Sequence, residues 1–556
     1  MSPMKSKALH TRTLALHLSD LKDRSLAAVQ RPVLGTPNLS NDAVLLASLM
    51  SFVLPGTPLE FLRKGAHIRK RWSQEGGVVD LRASHFFVHH EIEELLNDST
   101  RLRDAWICCQ ASNPGLGSHV PEVLSSFAVL PDDSLDPDLK LFWSFQAMVL
   151  ICGAVPWKSL EPISVDYFKL AECLCYTVQG FAGDVKEIPD AARLDILYSL
   201  IEAVRFSKLL KRRKLAINLA RKIAPEDHYS RLLIAQAESQ VKRLEGDPEA
   251  ARRVLPQIQQ MDQTTTASVA GARSARGQIF YQQSLNHIQY DQTDEAIQSL
   301  MSWSPGTTSM EAAVKFQHLL LWARILRYRN ESAAGHTKLE ELESFKAEYK
   351  DLDFEEFRPE FVYQLAALYI DEERYVIAET RILDQLEQMK STGITYPTNI
   401  SLRLLLAESR FGQGRLGQAE KDCNDVEADC RLKFDRIHWN IIVAKIHHTQ
   451  LAANSNAIAH RDKAFKHWNA ANALMIGKQL NDGHSTRVLQ MSILNVLSYF
   501  QDREAQNARE TAEDLLQRAR YGSSERSVKN WIPGFSTAWK RKMEEAQLAT
   551  KEIYKL

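Results

Sequence analysis

Apolar residues recur at i, i+3, i+4 and i+7 through nearly all of the chain from about residue 190 to residue 520. Short polar turns separate the periodic stretches. This period places apolar side chains along one face of an α-helix. The pattern predicts an all-α region of about eight consecutive helix pairs.

Pairs of small residues twelve positions apart recur along the same region. The pairs are Ser239 with Ala251, Ser284 with Ala296, Ala366 with Ala378, and Ala407 with Ala419. The second members are 45, 82 and 41 residues apart in chain order. The spacing indicates a unit of roughly 40 to 45 residues, with one degenerate unit between residues 296 and 378.

This spacing resembles that of tetratricopeptide repeats, in which small residues let two antiparallel helices approach closely. The resemblance implies an α-solenoid over residues 190–520, with first helices that line a concave groove for a peptide or helix. A unit of about 40 to 45 residues is longer than a standard tetratricopeptide repeat, which implies that its helices are longer than those of the standard repeat. We expect residues 521–556 to form a C-terminal capping helix from about Phe535. The alternative is a non-repetitive helical bundle with accidental alanines, and four matches at one spacing argue against it.

The first 180 residues follow another pattern. Turn residues occupy Leu54 to Pro58, and Val78 to Leu81 is prone to form a strand. We expect helices at 42–53, 58–70 and 100–110. These elements predict an N-terminal helical segment at 1–40, a winged-helix-like module at 41–130 and a helical connector at 131–189.

Five short segments carry a second resemblance. They are 42–52 (an apolar helix), 57–62 (similar to "IP-x-E-L"), 95–105 ("LRDAL"), 118–124 ("xHPLV") and 152–157 ("AFPW"). Their order resembles the junction region of fungal NLR-like (NB-ARC or STAND) proteins, whose sensing end is a tetratricopeptide array. The resemblance covers about residues 10–180. It implies that the chain corresponds to the C-terminal part of such a protein.

The nucleotide-binding motif of that family is missing. No G-x-x-x-x-G-K-[ST] string occurs in the sequence. His119, which the resemblance places opposite the nucleotide phosphate, then has no phosphate to face. We therefore expect no ATP or ADP binding and no cofactor.

Asp132, Asp133 and Asp136 spell DDxxD, a pattern that holds Mg²⁺ on a diphosphate when it lies on a helix. Here Pro131 and Pro137 flank it, which favours a loop that caps the next helix. We expect these carboxylates to bind no metal.

Two groups of histidines and cysteines are weaker candidates for a metal site, since neither has a spacing typical of zinc ligands. They are His85, His89 and His90, and His447, His448 and His460 with Cys423 and Cys430. Polar residues on ordinary helices are the default interpretation of both groups. No sequence motif of a catalytic dyad is present.

Composition and charge limit the partners and the cellular compartment that we expect for the chain. The 556 residues include 69 Lys and Arg and 69 Asp and Glu, so net charge points to no polyanionic partner. Basic runs at 67–72, 208–214 and 539–542 are interpreted as solvated helix ends rather than a nucleic-acid surface. Seven sparse cysteines suggest a reducing compartment. The absence of a secretory signal or long apolar run predicts a cytoplasmic or nuclear protein without a membrane segment.

The architecture favours a protein-interaction scaffold that binds a protein or peptide in the groove. The candidate groove residues are outward positions on first helices: Gln283, His287, Lys315, Tyr363, Tyr369, Arg403 and Arg410. One alternative is an enzyme of fungal specialised metabolism that uses the solenoid cavity for a small apolar substrate. Another is a regulatory partner of a full-length NLR-like protein.

Overall fold

The computed structural model of the chain describes thirteen ranges of residues. These are 40–73, 75–112, 137–163, 167–206, 209–225, 227–255, 270–290, 292–393, 399–453, 458–476, 483–500, 503–521 and 531–553. Twenty-three α-helices and one two-stranded sheet lie in these ranges. The expectation of a mainly helical chain is confirmed for them. None of the helices in these ranges is long and apolar enough to cross a membrane.

The chain divides into two compact units. The first contains residues up to Ile279, with Gly306–Glu311 and Asp351–Asp353, and the second contains the rest.

The first unit begins with two short helices, a β-hairpin and further helices. Its elements are α1 (Asn41–Met50), α2 (Leu59–Ala66), β1 (Arg69–Trp72), β2 (Val78–Leu81), α3 (His90–Asn97), α4 (Ser99–Ser112), α5 (Pro137–Ala154), α6 (Tyr167–Gln179), α7 (Asp190–Phe206), α8 (Leu210–Ile223), α9 (His228–Glu245) and α10 (Pro248–Val254). Helix α11 (Ala270–Gln289) begins in this unit. The predicted boundary at residue 190 lies inside the first unit, where α7 packs on α5 and α6.

Helices α2 and α5 cross at close range because a glycine lies on each. A Cβ atom on Gly65 would lie 1.9 Å from the Leu150 carbonyl oxygen. A Cβ atom on Gly153 would lie 1.6 Å from Nη1 of Arg69. The crossing therefore tolerates no larger residue at either position without a shift of its neighbours.

Strand β1 carries two buried arginines. It pairs antiparallel with β2, with Arg69 opposite Leu81 and Arg71 opposite Val79. Both arginines are at most 2% exposed, and both form ion pairs with Asp195 of α7. The interpretation of residues 67–72 as a solvated helix end is therefore wrong for these two side chains, since a strand directs alternate residues inward.

The second unit continues with further helices of 9 to 21 residues. They are the end of α11, α12 (Thr293–Met301), α13 (Ser309–Tyr328), α14 (Ser332–Glu348), α15 (Arg358–Asp371), α16 (Tyr375–Thr392), α17 (Asn399–Gly412), α18 (Leu416–Val426), α19 (Lys433–Ala453), α20 (Ile458–Ile476), α21 (Gly483–Leu497), α22 (Arg503–Tyr521) and α23 (Lys540–Ile553). Each helix from α14 to α21 packs on the next, and α15, α17 and α19 also pack on one another in series.

The small residues of the predicted helix crossings are all fully buried. Ala366 and Ala378 belong to one apolar cluster formed by α15, α16 and α17. Ala407 and Ala419 belong to the next cluster, formed by α17, α18 and α19. The Ser239 hydroxyl donates a 2.9 Å hydrogen bond to the Ala251 carbonyl. Small side chains thus stand where neighbouring helices meet.

The last described residues form a π-helical turn at Phe535–Trp539 and then α23. Ile532, Phe535, Trp539 and Met543 are buried in the apolar cluster of α19 to α22. We call residues 531–543 the C-terminal segment. It contacts more of the second unit than a cap on the last helix pair would.

Candidate functional site

Three of the predicted groove residues face even-numbered helices. Arg410 forms ion pairs with Glu379 of α16 at 3.0 Å and with Asp422 of α18 at 2.7 Å. The Lys315 ammonium lies 4.9 Å from the centre of the Phe345 ring of α14. Tyr369 packs on His336, also of α14, with ring centres 5.3 Å apart.

The other four predicted residues are half-buried on α11, α15 and α17. Burial raises the pKa of Tyr363 well above its ordinary value. His287 Nδ1 lies 2.8 Å from the Gln292 side-chain oxygen. Arg403 lies near enough to Asp422 to act on its pKa, and Gln283 lies on α11. The seven predicted residues are thus spread over several local contacts.

Some candidates for functional ligands lie outside the described ranges, and the others form local contacts. Asp132, Asp133, Asp136 and His119 lie outside them. His89 accepts a hydrogen bond from the Glu91 amide at 3.3 Å, as a helix cap. His447 and His460 contact each other through Nδ1 atoms at 3.1 Å. No group of three or more potential ligands with suitable geometry occurs in the described ranges.

A different group of polar residues is brought together by the odd-numbered helices of the second unit. Arg327 of α13, Asp371 of α15, Glu408 of α17 and Lys445 of α19 have side chains at most 2% exposed. We call these four residues the charged stripe. The C-terminal segment lies against the charged stripe.

Arg327 and Asp371 hold the beginning of the segment. Arg327 Nη1 donates to Asp371 Oδ2 at 3.3 Å, and its Nη2 donates to the Trp531 carbonyl at 3.4 Å. Asp371 Oδ1 accepts a 2.7 Å hydrogen bond from the Gly534 amide. The ion pair thereby presents one donor and one acceptor to the backbone of the segment.

The backbone conformation at position 534 and the atoms around it both require a glycine there. Its φ is +70°, in the left-handed region that favours glycine. A Cβ atom there would lie 2.9 Å from Glu408 Oε1 and 3.0 Å from Ile370 Cγ2. The segment can approach the charged stripe this closely because no side chain intervenes.

Glu408 and Lys445 form the second ion pair of the stripe, with Nζ of Lys445 donating to Oε1 of Glu408. The lysine ammonium also lies 4.6 Å from the centre of the Phe411 ring and 5.6 Å from that of Trp539. Oε2 of Glu408 has no hydrogen-bond partner among the described residues. One buried acceptor is therefore left open at this point.

Aromatic residues anchor the middle of the segment. Phe535 stacks on Trp468 of α20, with ring centres 6.0 Å apart. Trp539 Nε1 donates to Ser492 Oγ of α21 at 2.9 Å, and its ring lies 5.3 Å from that of His448. Burying two large aromatic side chains with a satisfied indole N–H stabilises the contact strongly.

Two histidines of α19 stay neutral beside this contact. Burial lowers the pKa of His448 to about 4, and the Lys542 charge adds to the effect. Burial, and to a smaller extent the positive charges of Lys445 and Arg327, lower the pKa of His438 to about 3. The positive groups of the region therefore favour uncharged imidazoles near them.

The end of the segment is exposed. Arg541 pairs with Glu373 at 2.8 Å, with both side chains well exposed. Lys542 Nζ donates to Thr449 Oγ1 of α19 at 3.1 Å. Partial burial, followed by the charge of Lys445, lowers the pKa of Lys542. The ammonium groups of Lys445 and Lys542 therefore lie close to each other.

A cavity of about 420 Å³ lies between the C-terminal segment and the helices under it. Its charged lining residues are Glu408, Lys445 and Lys542. Rings of Tyr375, Phe411 and Trp539 line the rest, with Gly534 and Ala538 of the segment. A Cβ atom on Gly412 would lie 2.3 Å from the Tyr375 ring, so a glycine allows Tyr375 to take this place.

No protein-family model matches this chain, and no curated protein matches its sequence. The geometry of the charged stripe and its cavity is therefore the basis for a functional proposal.

Proposed function

We propose that the chain is a protein-interaction scaffold of tetratricopeptide-like repeats, which binds a chain segment on the charged stripe of its odd-numbered helices. The four pairs of small residues support the repeats, since each stands at a buried helix crossing. The winged-helix-like module and the descent from an NLR-like protein belong to the same proposal. Helices α1, α2 and α4 with the β-hairpin support the module.

One observation carries the binding function. The C-terminal segment makes backbone and side-chain contacts with α13, α15, α19 and α21. A surface that holds one segment of the chain by specific polar and aromatic contacts has the chemistry to hold a similar segment of a partner. The chain's own segment is then an occupant that a partner must replace.

The contacts define the partner's chemistry. Trp531, Phe535 and Trp539 follow one another at intervals of four residues, and the last two begin and end the π-helical turn. Gly534 precedes the middle aromatic, and the basic residues 540–542 follow the last one. We expect a partner segment with aromatic residues at this spacing and a glycine ahead of the middle one.

The enzyme alternative finds less support. A deep pocket with converging carboxylates would favour an enzyme, whereas Glu408 is the single carboxylate among the described residues that line this cavity. The small apolar substrate of that alternative also fits poorly beside three charged groups.

A synthetic peptide of residues 529–546 tests the proposal. Gly534→Leu in the full chain should weaken the chain's own segment, because positive φ costs a non-glycine residue about 1–2 kcal/mol before the clash with Glu408. This variant should bind the labelled peptide at least about tenfold more tightly than the unchanged chain. Fluorescence anisotropy measures the affinities.

The same peptide with Trp539→Ala is the matched control, and it should bind weakly to either chain. Gly534→Ala is a milder second variant if the leucine disturbs folding, which circular dichroism will show. Equal weak binding of both peptides to both glycine variants would contradict the proposal.

A further inference from the structure

The cavity beside the charged stripe has properties that binding of a peptide does not use. Its walls come from both the helices and the C-terminal segment, so it exists only while the segment is in place. Its volume of about 420 Å³ falls in the range of small-molecule sites, about 300–1,000 Å³. A ligand there would contact both sides.

The charges in the cavity do not balance. Lys445 and Lys542 supply two positive charges and Glu408 supplies one negative charge. Glu408 is already paired with Lys445, while Lys542, among the described residues, donates to the neutral hydroxyl of Thr449 at 3.1 Å and lies 5.1 Å from the centre of the Trp539 ring. One negative charge on a ligand would balance the site, whereas a dianion would be repelled by Glu408.

The cavity also borders an unsatisfied acceptor. Oε2 of Glu408 is buried, lies in a lining residue, and has no hydrogen-bond partner among the described residues. An unsatisfied buried carboxylate oxygen costs stability. A hydroxyl or N–H of a ligand would remove that cost.

The remaining walls suit a flat apolar body. The rings of Tyr375, Phe411 and Trp539 all line the cavity. The Trp539 N–H is satisfied by Ser492, and its ring already packs on His448 and Trp468, so only its edge toward the cavity can meet a ligand. Aromatic side chains of this kind stack favourably on a planar ligand.

We propose that this cavity binds a small aromatic monocarboxylate that also carries a hydroxyl or N–H donor. The carboxylate lies beside the Lys542 and Lys445 ammonium groups, the donor meets Glu408 Oε2, and the ring lies among the three aromatic side chains. Because the segment forms one wall, the ligand stabilises the segment against the stripe by mass action. The ligand thereby opposes binding of a partner segment.

Four probes test the ligand class on the unchanged full chain. They are 4-hydroxyphenylacetate, indole-3-acetate, 4-hydroxyphenylacetamide, which lacks the negative charge, and 4-methylphenylacetate, which lacks the donor. Titration calorimetry should show binding of the first two at least about tenfold tighter than of the last two. Inorganic phosphate is a fifth probe and should bind more weakly than either acid.

Lys542→Gln is the informative variant, since its side chain is solvent-accessible and its loss spares the core. It should weaken binding of 4-hydroxyphenylacetate at least about tenfold. Lys540→Gln is the matched control on the same helix, and it should leave binding within about twofold because Lys540 does not line the cavity.

Three results would overturn the proposal: no binding of either acid, equal binding of acid and amide, or an unchanged affinity in Lys542→Gln. A preference for phosphate would indicate a general anion site and would also overturn it. These outcomes are independent of the peptide test. The peptide can bind Gly534→Leu when no acid binds, and an acid can bind the unchanged chain when no peptide does.

Discussion

Each compact unit buries a cluster of charged side chains, and the two clusters have different surroundings. In the first unit, Arg69 and Arg71 pair with Asp195 under the crossing of α2 and α5. Phe86 covers Arg69, whose guanidinium carbon lies 3.9 Å from the ring centre. In the second unit, the charged stripe borders a cavity and holds a segment distant in the sequence.

The difference separates two uses of buried charge. A closed cluster such as that of Asp195 fixes the position of a strand, and its cost of desolvation is offset only while every partner is present. Unused hydrogen-bonding capacity does not separate the two clusters, because Nε, Nη1 and Nη2 of Arg69 and Oδ2 of Asp195 have no hydrogen-bond partner among the described residues, like Oε2 of Glu408. What separates them is the cavity, which Glu408 and Lys445 line. Burial of charge alone therefore does not indicate a binding site, whereas burial next to open space does.

The largest expected effect comes from breaking the closed cluster. Asp195→Ala leaves two buried guanidinium groups without their common partner, and Glu161 reaches only Arg71. We expect a loss of about 3–5 kcal/mol in the free energy of unfolding. Urea denaturation followed by circular dichroism measures it.

Glu172→Ala is the control, because this glutamate pairs with Arg212 on the surface, with both side chains over 40% exposed. It should cost no more than about 1 kcal/mol. Similar losses in the two variants would mean that the Asp195 cluster is not a closed one.

The second expected effect is a pH dependence that belongs to the second unit. The pKa of His448 is lowered to about 4 in the folded chain, against about 6.5 for the unfolded chain. The unfolded chain therefore binds a proton first as the pH falls. The contribution of His448 to the free energy of unfolding is fully present above about pH 6.5. Its protonation in the unfolded chain should lower the free energy of unfolding by about 2 kcal/mol between pH 7.5 and pH 5.

His448→Gln isolates this contribution, since glutamine cannot take up the proton and can still bond to Asn495. The difference in the free energy of unfolding between the variant and the unchanged chain should shrink or change sign as the pH falls. Denaturation curves at both pH values check this. Parallel loss of stability in both chains would assign the pH dependence to other groups.

The third expected effect compares two glycines that lie in helices. Gly153→Ala places a Cβ atom 1.6 Å from Nη1 of Arg69 and 2.9 Å from the Gly65 carbonyl. We expect a loss of about 1–3 kcal/mol from overpacking. Gly417→Ala meets no atom within 4 Å and should be neutral or stabilising by up to about 1 kcal/mol. Thermal unfolding ranks the two, and the reverse ranking would refute the close crossing.

The smallest expected effect concerns the exposed end of the C-terminal segment. Arg541→Ala removes the pair with Glu373, whose partners are 62% and 40% exposed. The loss should stay below about 1 kcal/mol. A larger loss in urea denaturation would show that the segment is held mainly at its end rather than by the charged stripe.

The sequence predicted the helices well because their signal is local. Apolar periodicity needs only neighbours three and four positions apart, and the small residues repeat at one spacing. Strand β1 was missed because its basic residues are typical of a surface, and Asp195, which makes their burial possible, lies more than 120 positions away.

The charged stripe was missed for a similar reason. Asp371 follows Ala366 by five residues, whereas Glu408 follows Ala407 by one, so the two acids hold no common position relative to the paired alanines. The C-terminal segment, which contacts the charged stripe, could be recognised in part from the sequence. Trp531, Phe535 and Trp539 are large apolar residues on a short segment, and such residues need a surface to cover them. The sequence does not say which surface that is.

The position of the C-terminal segment bears on how the second unit unfolds and is made. Helical arrays in which each pair contacts only its neighbours lose structure piece by piece. The contact between Arg327 and Trp531 spans 204 positions and joins α13 to the C-terminal segment, which also contacts α15, α19 and α21. Opening of α13, α15, α19 and α21 should therefore be coupled, and hydrogen exchange in these helices should share one opening free energy. During synthesis, the stripe must stay uncovered until residue 531 and its successors have left the ribosome, which gives a partner its earliest access.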